Sequence, residues 1–394
     1  MKITKITATP VNLHLEAPLI WSVGLYPGTS KTIVEVETDQ GLVGLGEGPS
    51  PDCADMINKQ MGPALIGREA LDIAALEQLV LPEWRVVQNT DDASVVKSFG
   101  AIEMALWDLR GKFWQQPLYM LLGGKVREAA PFSEYFGYRL TKDGKGGERS
   151  PEAVADYCQK MAEEYGSTVF EGKLCQPDPF LEIATVKALR ERLGPRANIR
   201  LDANMGWSLT TAKRIFREIE PYHVSNYEDP VATFEEMAEL RKHFPLMMST
   251  HIPDLRKSLA LGVPDAFVTN FAVLGGLSKT LRFIGACETV GRIFWCYSGD
   301  GGIASAAYLH MVAAMPWLTE PSQSLFRWQI NDVIDEGPFK PHRDVIPVPK
   351  GYGLGVTLNR RDLKWAHDDL VKNGPIDHFA TVEGGERKRR LPVA

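Results

Sequence analysis

Three short apolar runs, each closing on charge, decide the fold: Thr168-Val169-Phe170-Glu171-Gly172-Lys173, Asn198-Ile199-Arg200-Leu201-Asp202-Ala203-Asn204 and Val224-Ser225-Asn226-Tyr227-Glu228-Asp229-Pro230. Helix-like stretches separate them. Lys173, Asp202 and Glu228 stand roughly 29 and 26 residues apart, the length of a strand, a helix and two short loops. In a parallel α/β barrel consecutive strand ends converge on one rim, so the three side chains would face a common space. A lysine beside two acids suggests a base next to a metal. An interior salt-bridge cluster is the competing reading.

Working outward, strand and helix alternate from Ala130 onward. Residues 132–138 read as a first strand, and the next three end at Lys173, Asp202 and Glu228. Residues 246–250 end at His251, 266–269 at Asn270 and 293–296 at Tyr297; an eighth strand is placed near 318–320, with Glu320 at its end. Ser150 and Ser208 precede two of the helices and are expected as N-caps. Eight units in about 200 residues fit a (β/α)8 barrel better than an open sheet. No GxGxxG follows a strand, so no dinucleotide site is expected.

Upstream the grammar differs. Thr32-Ile33-Val34-Glu35-Val36-Glu37-Thr38 alternates with period two, and a turn at Asp39-Gln40-Gly41 returns it as a hairpin. Residues 16–30, rich in Pro, Gly, Trp and Tyr, read as a loop: a lid over a site, or a connector. Residues 98–114 carry a helical stripe at Ile102, Ala105, Leu106, Leu109 and Phe113. Strands followed by helices make residues 1–125 an α+β domain ahead of a barrel at 126–325. Residues 326–394 are too few for a third domain and are expected to pack back on the first.

The chain has 394 residues, 44% hydrophobic and 24% charged, the balance of a soluble globular protein. Its net charge of −6 disfavours nonspecific nucleic-acid binding. Five scattered cysteines without CxxC spacing fit reduced thiols, not disulfides or zinc. No stretch is apolar enough to span a membrane, and the start lacks a signal-peptide core, so the cytoplasm is the default.

With this architecture the chain resembles the enolase superfamily, in the mandelate racemase / muconate lactonizing enzyme group. The resemblance runs through nearly the whole length. It is carried by Gly46-Glu47-Gly48, by Ala105-Leu106-Trp107-Asp108-Leu109-Arg110-Gly111-Lys112, by Leu201-Asp202-Ala203-Asn204, by Tyr227-Glu228-Asp229-Pro230 and by Gly353-Leu354-Gly355-Val356. Residues 132–139 and Met248-Ser249-Thr250-His251 are closest to the glucarate dehydratase-like branch, which eliminates water from acid sugars.

The resemblance implies a capping domain on a (β/α)8 barrel, a small carboxylate substrate and a homo-oligomer. It implies Asp202 and Glu228 as ligands of Mg2+, with His251 in the third ligand slot. It implies Lys173 as general base, its pKa lowered by the cation, and Asn204 as a substrate contact. The chain departs from the pattern at several points. Glu171 stands where the branch usually has a lysine, and either tunes Lys173 and meets substrate or is a remnant. Imidazole suits Mn2+ or another divalent ion better than Mg2+, so either the metal differs or His251 is an acid/base residue. The usual His–Asp dyad slots hold Asn270 and Tyr297, and tyrosine titrates near 10. One-base chemistry therefore remains, with Tyr297, His251 or Lys173 itself as proton donor and Asn270 and Glu320 as substrate contacts. The reaction expected is dehydration of an acid sugar. The alternatives are a one-base epimerase, a Schiff-base aldolase using Lys173, and a catalytically silent carboxylate binder.

Overall fold

A computed structural model describes residues 1–81, 93–174, 178–298 and 301–380. The chain opens with an antiparallel sheet of three strands, β1 (Ile3–Trp21), β2 (Gly24–Thr38) and β3 (Val43–Gly48), in that order. Residues 16–30 are therefore no loop. β1 and β2 continue as a long hairpin to a tip at Ser22 and Val23, with a register shift between His14 and Leu19. Leu13, Leu15, Ala17 and Leu19 alternate and are all buried, a period-two pattern that outweighs the local Pro and Gly content.

The helix Ala93–Phe113 lies across this sheet. The contact is backbone-close: a Cβ on Gly46 would sit 2.0 Å from the Ala101 carbonyl oxygen. Buried Asp108 fastens three segments. Its carboxylate accepts from Leu45 N (2.8 Å), Leu354 N (2.7 Å) and Lys112 Nζ (2.6 Å). Two stretches far apart in sequence thus meet at one acid.

Eight parallel strands follow: β5 (Glu134–Phe136), β6 (Val169–Lys173), β7 (Asn198–Asp202), β8 (Asn226–Glu228), β9 (Met248–Thr250), β10 (Ala266–Thr269), β11 (Ile293–Ser298) and β12 (Gln323–Ser324). They pair in sequence order. A parallel bridge between Phe132 and Ser322 brings the last back beside the first. A short β4 (Ala129–Pro131) pairs instead with β13 (Val345–Pro347). Ser150 and Ser208 cap their helices, accepting from Ala153 N and Thr211 N. The eighth strand lies later than the pattern suggested. Leu318 and Thr319 still donate to Met315 and Trp317 in a turn, and ladder pairing begins only beyond Pro321, which has no donor.

β6 has no room for a side chain at Gly172. A Cβ there would lie 2.3 Å from Phe136 O and 2.4 Å from the Phe136 ring. Gly172→Ala should cost about 1–3 kcal/mol through overpacking, read as a lowered urea midpoint. An unchanged midpoint would mean that β5 and β6 part readily to admit the methyl group.

The helix Arg360–Asn373 returns to β1 and β2. Asp369 accepts from Asn12 Nδ2 (2.9 Å) and contacts His14 Nε2 (2.8 Å), while Arg360 pairs with Glu35. Among the described residues no helix is long and apolar enough to cross a membrane.

Candidate active site

Parallel pairing sets Lys173 beside Asp202 and Asp202 beside Glu228 at the C-terminal ends of β6, β7 and β8. All three line a cavity of about 350 Å3 at the barrel mouth. His251, Asn270 and Tyr297, at or just past the ends of the next strands, line it too, as does Asn204. The tip of the β1–β2 hairpin supplies the opposite wall with Trp21 and Tyr26. Hairpin and rim are joined where Ser22 Oγ donates to Asn204 Oδ1.

Lys173 Nζ donates to Asp202 Oδ2, and Asp202 Oδ1 accepts from Asn204 N at 2.7 Å. The lysine side chain keeps 15% exposure, so the ion pair stands at the cavity wall and not beneath it. Burial raises the Asp202 carboxyl above its usual range, against the Lys173 charge that lowers it. Glu228 is pushed up further, first by burial and then by the charges of Asp202 and Glu171. Its Oε2 accepts from Gln323 Nε2 at 2.6 Å.

The next residue, Asp229, changes the arrangement. Successive strand residues face opposite ways. Asp229 leaves the strand at φ +42°, and its carboxylate joins Glu228 and His251 in a cluster whose ligand atoms lie within 4.8 Å of one another. Its Oδ2 holds His251 Nδ1, and its Oδ1 accepts from Thr250 Oγ1 at 2.6 Å. His251 is 38% exposed, and its Nε2 remains for a ligand or a proton. Burial works against the imidazolium, but the bond to Asp229 and the charges of Asp229 and Asp202 outweigh it, so the pKa rises above 6.5.

Asn270 Oδ1 caps the helix Phe271–Leu274 by accepting from Val273 N (3.2 Å), which leaves its amide NH2 as the donor for the cavity. Two other residues lie elsewhere. Glu171 is buried inside the barrel, one layer below Lys173, where Ser133 Oγ donates to it at 3.3 Å and Arg200 Nη1 stands 3.9 Å away. It faces the same interior as Lys173 because the two are separated by one residue, but it is too deep to touch substrate. Glu320 precedes β12 instead of ending it and pairs with Arg200 Nη2, away from the mouth. Gln323 holds the rim position expected of Glu320. Lys31, Tyr135, Gln323 and His378 line the cavity and were missed by sequence reasoning, as was Asp229 behind His251. Only Asp229 had a signal, as the second acid after an apolar run.

The acids suit a hard divalent cation. Asp202 and Glu228 are buried carboxylates on adjacent strands, each driven toward protonation by its surroundings, and a cation between them would relieve both. His251 Nδ1 is committed to Asp229, so imidazole could reach such an ion only through Nε2.

A (β/α)8 barrel with acids and a lysine at its C-terminal rim, roofed by a hairpin from an N-terminal sheet, defines a capped barrel. Residues 3–123 match the family model for the mandelate racemase / muconate lactonizing enzyme N-terminal domain, and 153–363 match the enolase C-terminal domain-like model. The chain belongs to the mandelate racemase / muconate lactonizing enzyme group of the enolase superfamily. It is 31% identical to a probable glucarate dehydratase of Streptomyces coelicolor, over 93% of this chain and 91% of that one. It is 27% identical to a chloromuconate cycloisomerase of Pseudomonas putida, over 92% and 98%. Among solved structures, an enolase from Pseudomonas fluorescens Pf0-1 with bound magnesium, potassium and tartrate superposes with a TM-score of 0.85 at 27% identity, covering 95% of this chain and 93% of that one.

Proposed function

We propose that this protein removes the proton α to a substrate carboxylate and then eliminates water from an acid sugar. One observation supports this most: the order of groups around the rim. Lys173 on β6 and His251 after β9 flank Asp202 and Glu228 on the two strands between them, and all four line one cavity. Asp202 and Glu228 would hold Mg2+, the ion found with the Pseudomonas fluorescens relative, which leaves Nε2 of His251 to carry a proton. When bound, the ion would supply positive charge for the substrate carboxylate and for the charge that builds there.

Lys173 acts as the base. Asp202 favours its ammonium form, so the amine becomes a base once Asp202 is engaged elsewhere. Lys173 Nζ takes the α-proton, the C–H electron pair forms the C=C bond, and the β-hydroxyl departs with the proton of His251 Nε2. The resulting enol becomes a 2-keto acid. Asp229 orients the imidazole and favours its cation, which is what a general acid needs. A second reading, epimerisation, is also supported by the His251–Asp229 pair, which could return a proton to the α-carbon from the other side. The two separate by product: a keto acid for elimination, a deuterated diastereomer in D2O for epimerisation.

Chelation gives the first test. EDTA should lower α-proton exchange with four- to six-carbon acid sugars by at least about 100-fold, and added Mg2+ or Mn2+ should restore it. Exchange that survives chelation would remove Asp202 and Glu228 from the proposal.

A further inference from the structure

The C-terminal segment reaches the cavity from outside the barrel. After the helix Arg360–Asn373, residues 375–380 run along the β1–β2 hairpin. Ile376 N donates to Ser30 Oγ (2.8 Å), Leu25 N donates to Ala380 O (3.0 Å), and Trp21 Nε1 donates to the His378 carbonyl (2.9 Å). The His378 ring stacks on Tyr26, with centroids 4.3 Å apart and planes at 24°, and it lines the same cavity as Lys173.

The hydrogen bonds fix its tautomer. His378 Nε2 lies 2.8 Å from the Gly28 carbonyl oxygen, which can only accept, so Nε2 carries the proton. Burial holds the imidazole below 6.5, against the Gly28 bond that raises it, and the ring is neutral. Nδ1 is then a lone-pair acceptor, with no partner among the described residues. The proton transfers assigned to Lys173 and His251 do not use it.

We infer that His378 is a specificity-determining residue: its Nδ1 accepts a hydrogen bond from a substrate hydroxyl presented to the hairpin side of the cavity, so the site selects polyhydroxy acids over acids lacking that hydroxyl. This rests on the reading of the substrate as an acid sugar. A half-buried acceptor that gives up its water and receives no donor in return rejects the deoxy analogue, because desolvation is then uncompensated. The aromatic stack on Tyr26 and the Gly28 bond hold the ring, so little freedom is lost on binding.

The experiment compares wild type, His378→Phe and His378→Gln in saturating Mg2+. Calorimetry measures tartrate and its deoxy analogue malate, and kinetics follow any acid sugar that exchanges its α-proton. His378→Phe keeps the stack and removes the acceptor. It should weaken tartrate at least tenfold and malate less than twofold, and raise KM with kcat within threefold. His378→Gln can donate to Gly28 and still accept, and should stay within threefold of wild type. The inference is overturned if Phe binds tartrate normally, if it loses tartrate and malate alike, if Gln falls as far as Phe, or if wild type binds neither acid. A wild-type protein that shows the tartrate–malate contrast but exchanges no α-proton would support the role of His378 and overturn the proposed reaction instead.

Discussion

Lys173→Ala should lower α-proton exchange by about 1,000-fold or more, toward the upper end of what one general base contributes. Tyr297 is a phenol, Asn270 an amide, and His251 is held toward its cation by Asp229, so no neighbour on the rim replaces the amine as base. A stability measurement tests the same residue independently. Lys173→Met leaves Asp202 buried without its ammonium partner, which should cost about 3–5 kcal/mol in metal-free buffer. Saturating Mg2+ should recover most of that loss, because the ion puts positive charge back beside Asp202. It should also stabilise the variant more than wild type, in which Lys173 competes for the same carboxylate. Equal stabilisation of both proteins would mean the metal does not meet Asp202, and exchange that persisted in Lys173→Ala would end the base assignment.

Lys173, Asp202 and Glu228 were legible because a parallel barrel turns strand-end spacing into proximity, and that spacing is local. His251, Asn270 and Tyr297 followed by the same rule, and all six line one cavity. What failed was non-local or hidden by composition. The hairpin at residues 16–30 was masked by Pro and Gly, although Leu13, Leu15, Ala17 and Leu19 keep the period of a strand. The shift of the eighth strand past Pro321 exchanged Glu320 for Gln323 at the rim. Asp229 turns on a backbone angle of +42°, which sequence does not announce. His378 reaches Gly28 across 350 residues of chain, and no periodicity encodes such a contact. Glu171 was the most readable of the misplacements: two residues before Lys173, it shares that residue's face but lies one layer deeper.

That deeper layer gives a second large stability effect. Arg200 is buried, stacked on Trp295 at 4.9 Å, with Pro321 O accepting from it at 3.1 Å and Glu171 and Glu320 at its two ends. Arg200→Met removes the cation that offsets Glu171, and should cost about 3–5 kcal/mol at neutral pH. The size should depend on pH. Glu171 is pushed up to about 7, chiefly by burial, with Arg200 pulling the other way. A carboxyl raised on folding contributes stability that is complete below its unfolded pKa, about 4.5, and lost as pH rises through 7. Without Arg200 the folded pKa climbs further, so the penalty extends to higher pH. At pH 5.5 Glu171 is mostly protonated in either protein, and Arg200→Met should lose mainly packing and hydrogen bonds. At pH 8 the deficit should be visibly larger, as read from urea midpoints. Adding Glu171→Gln should erase that pH dependence, since an amide asks for no counter-charge. Glu320 contributes little to the difference because it is partly exposed and water can replace its partner. Equal deficits at both pH values would place the importance of Arg200 in its contact with Trp295 and not in its charge.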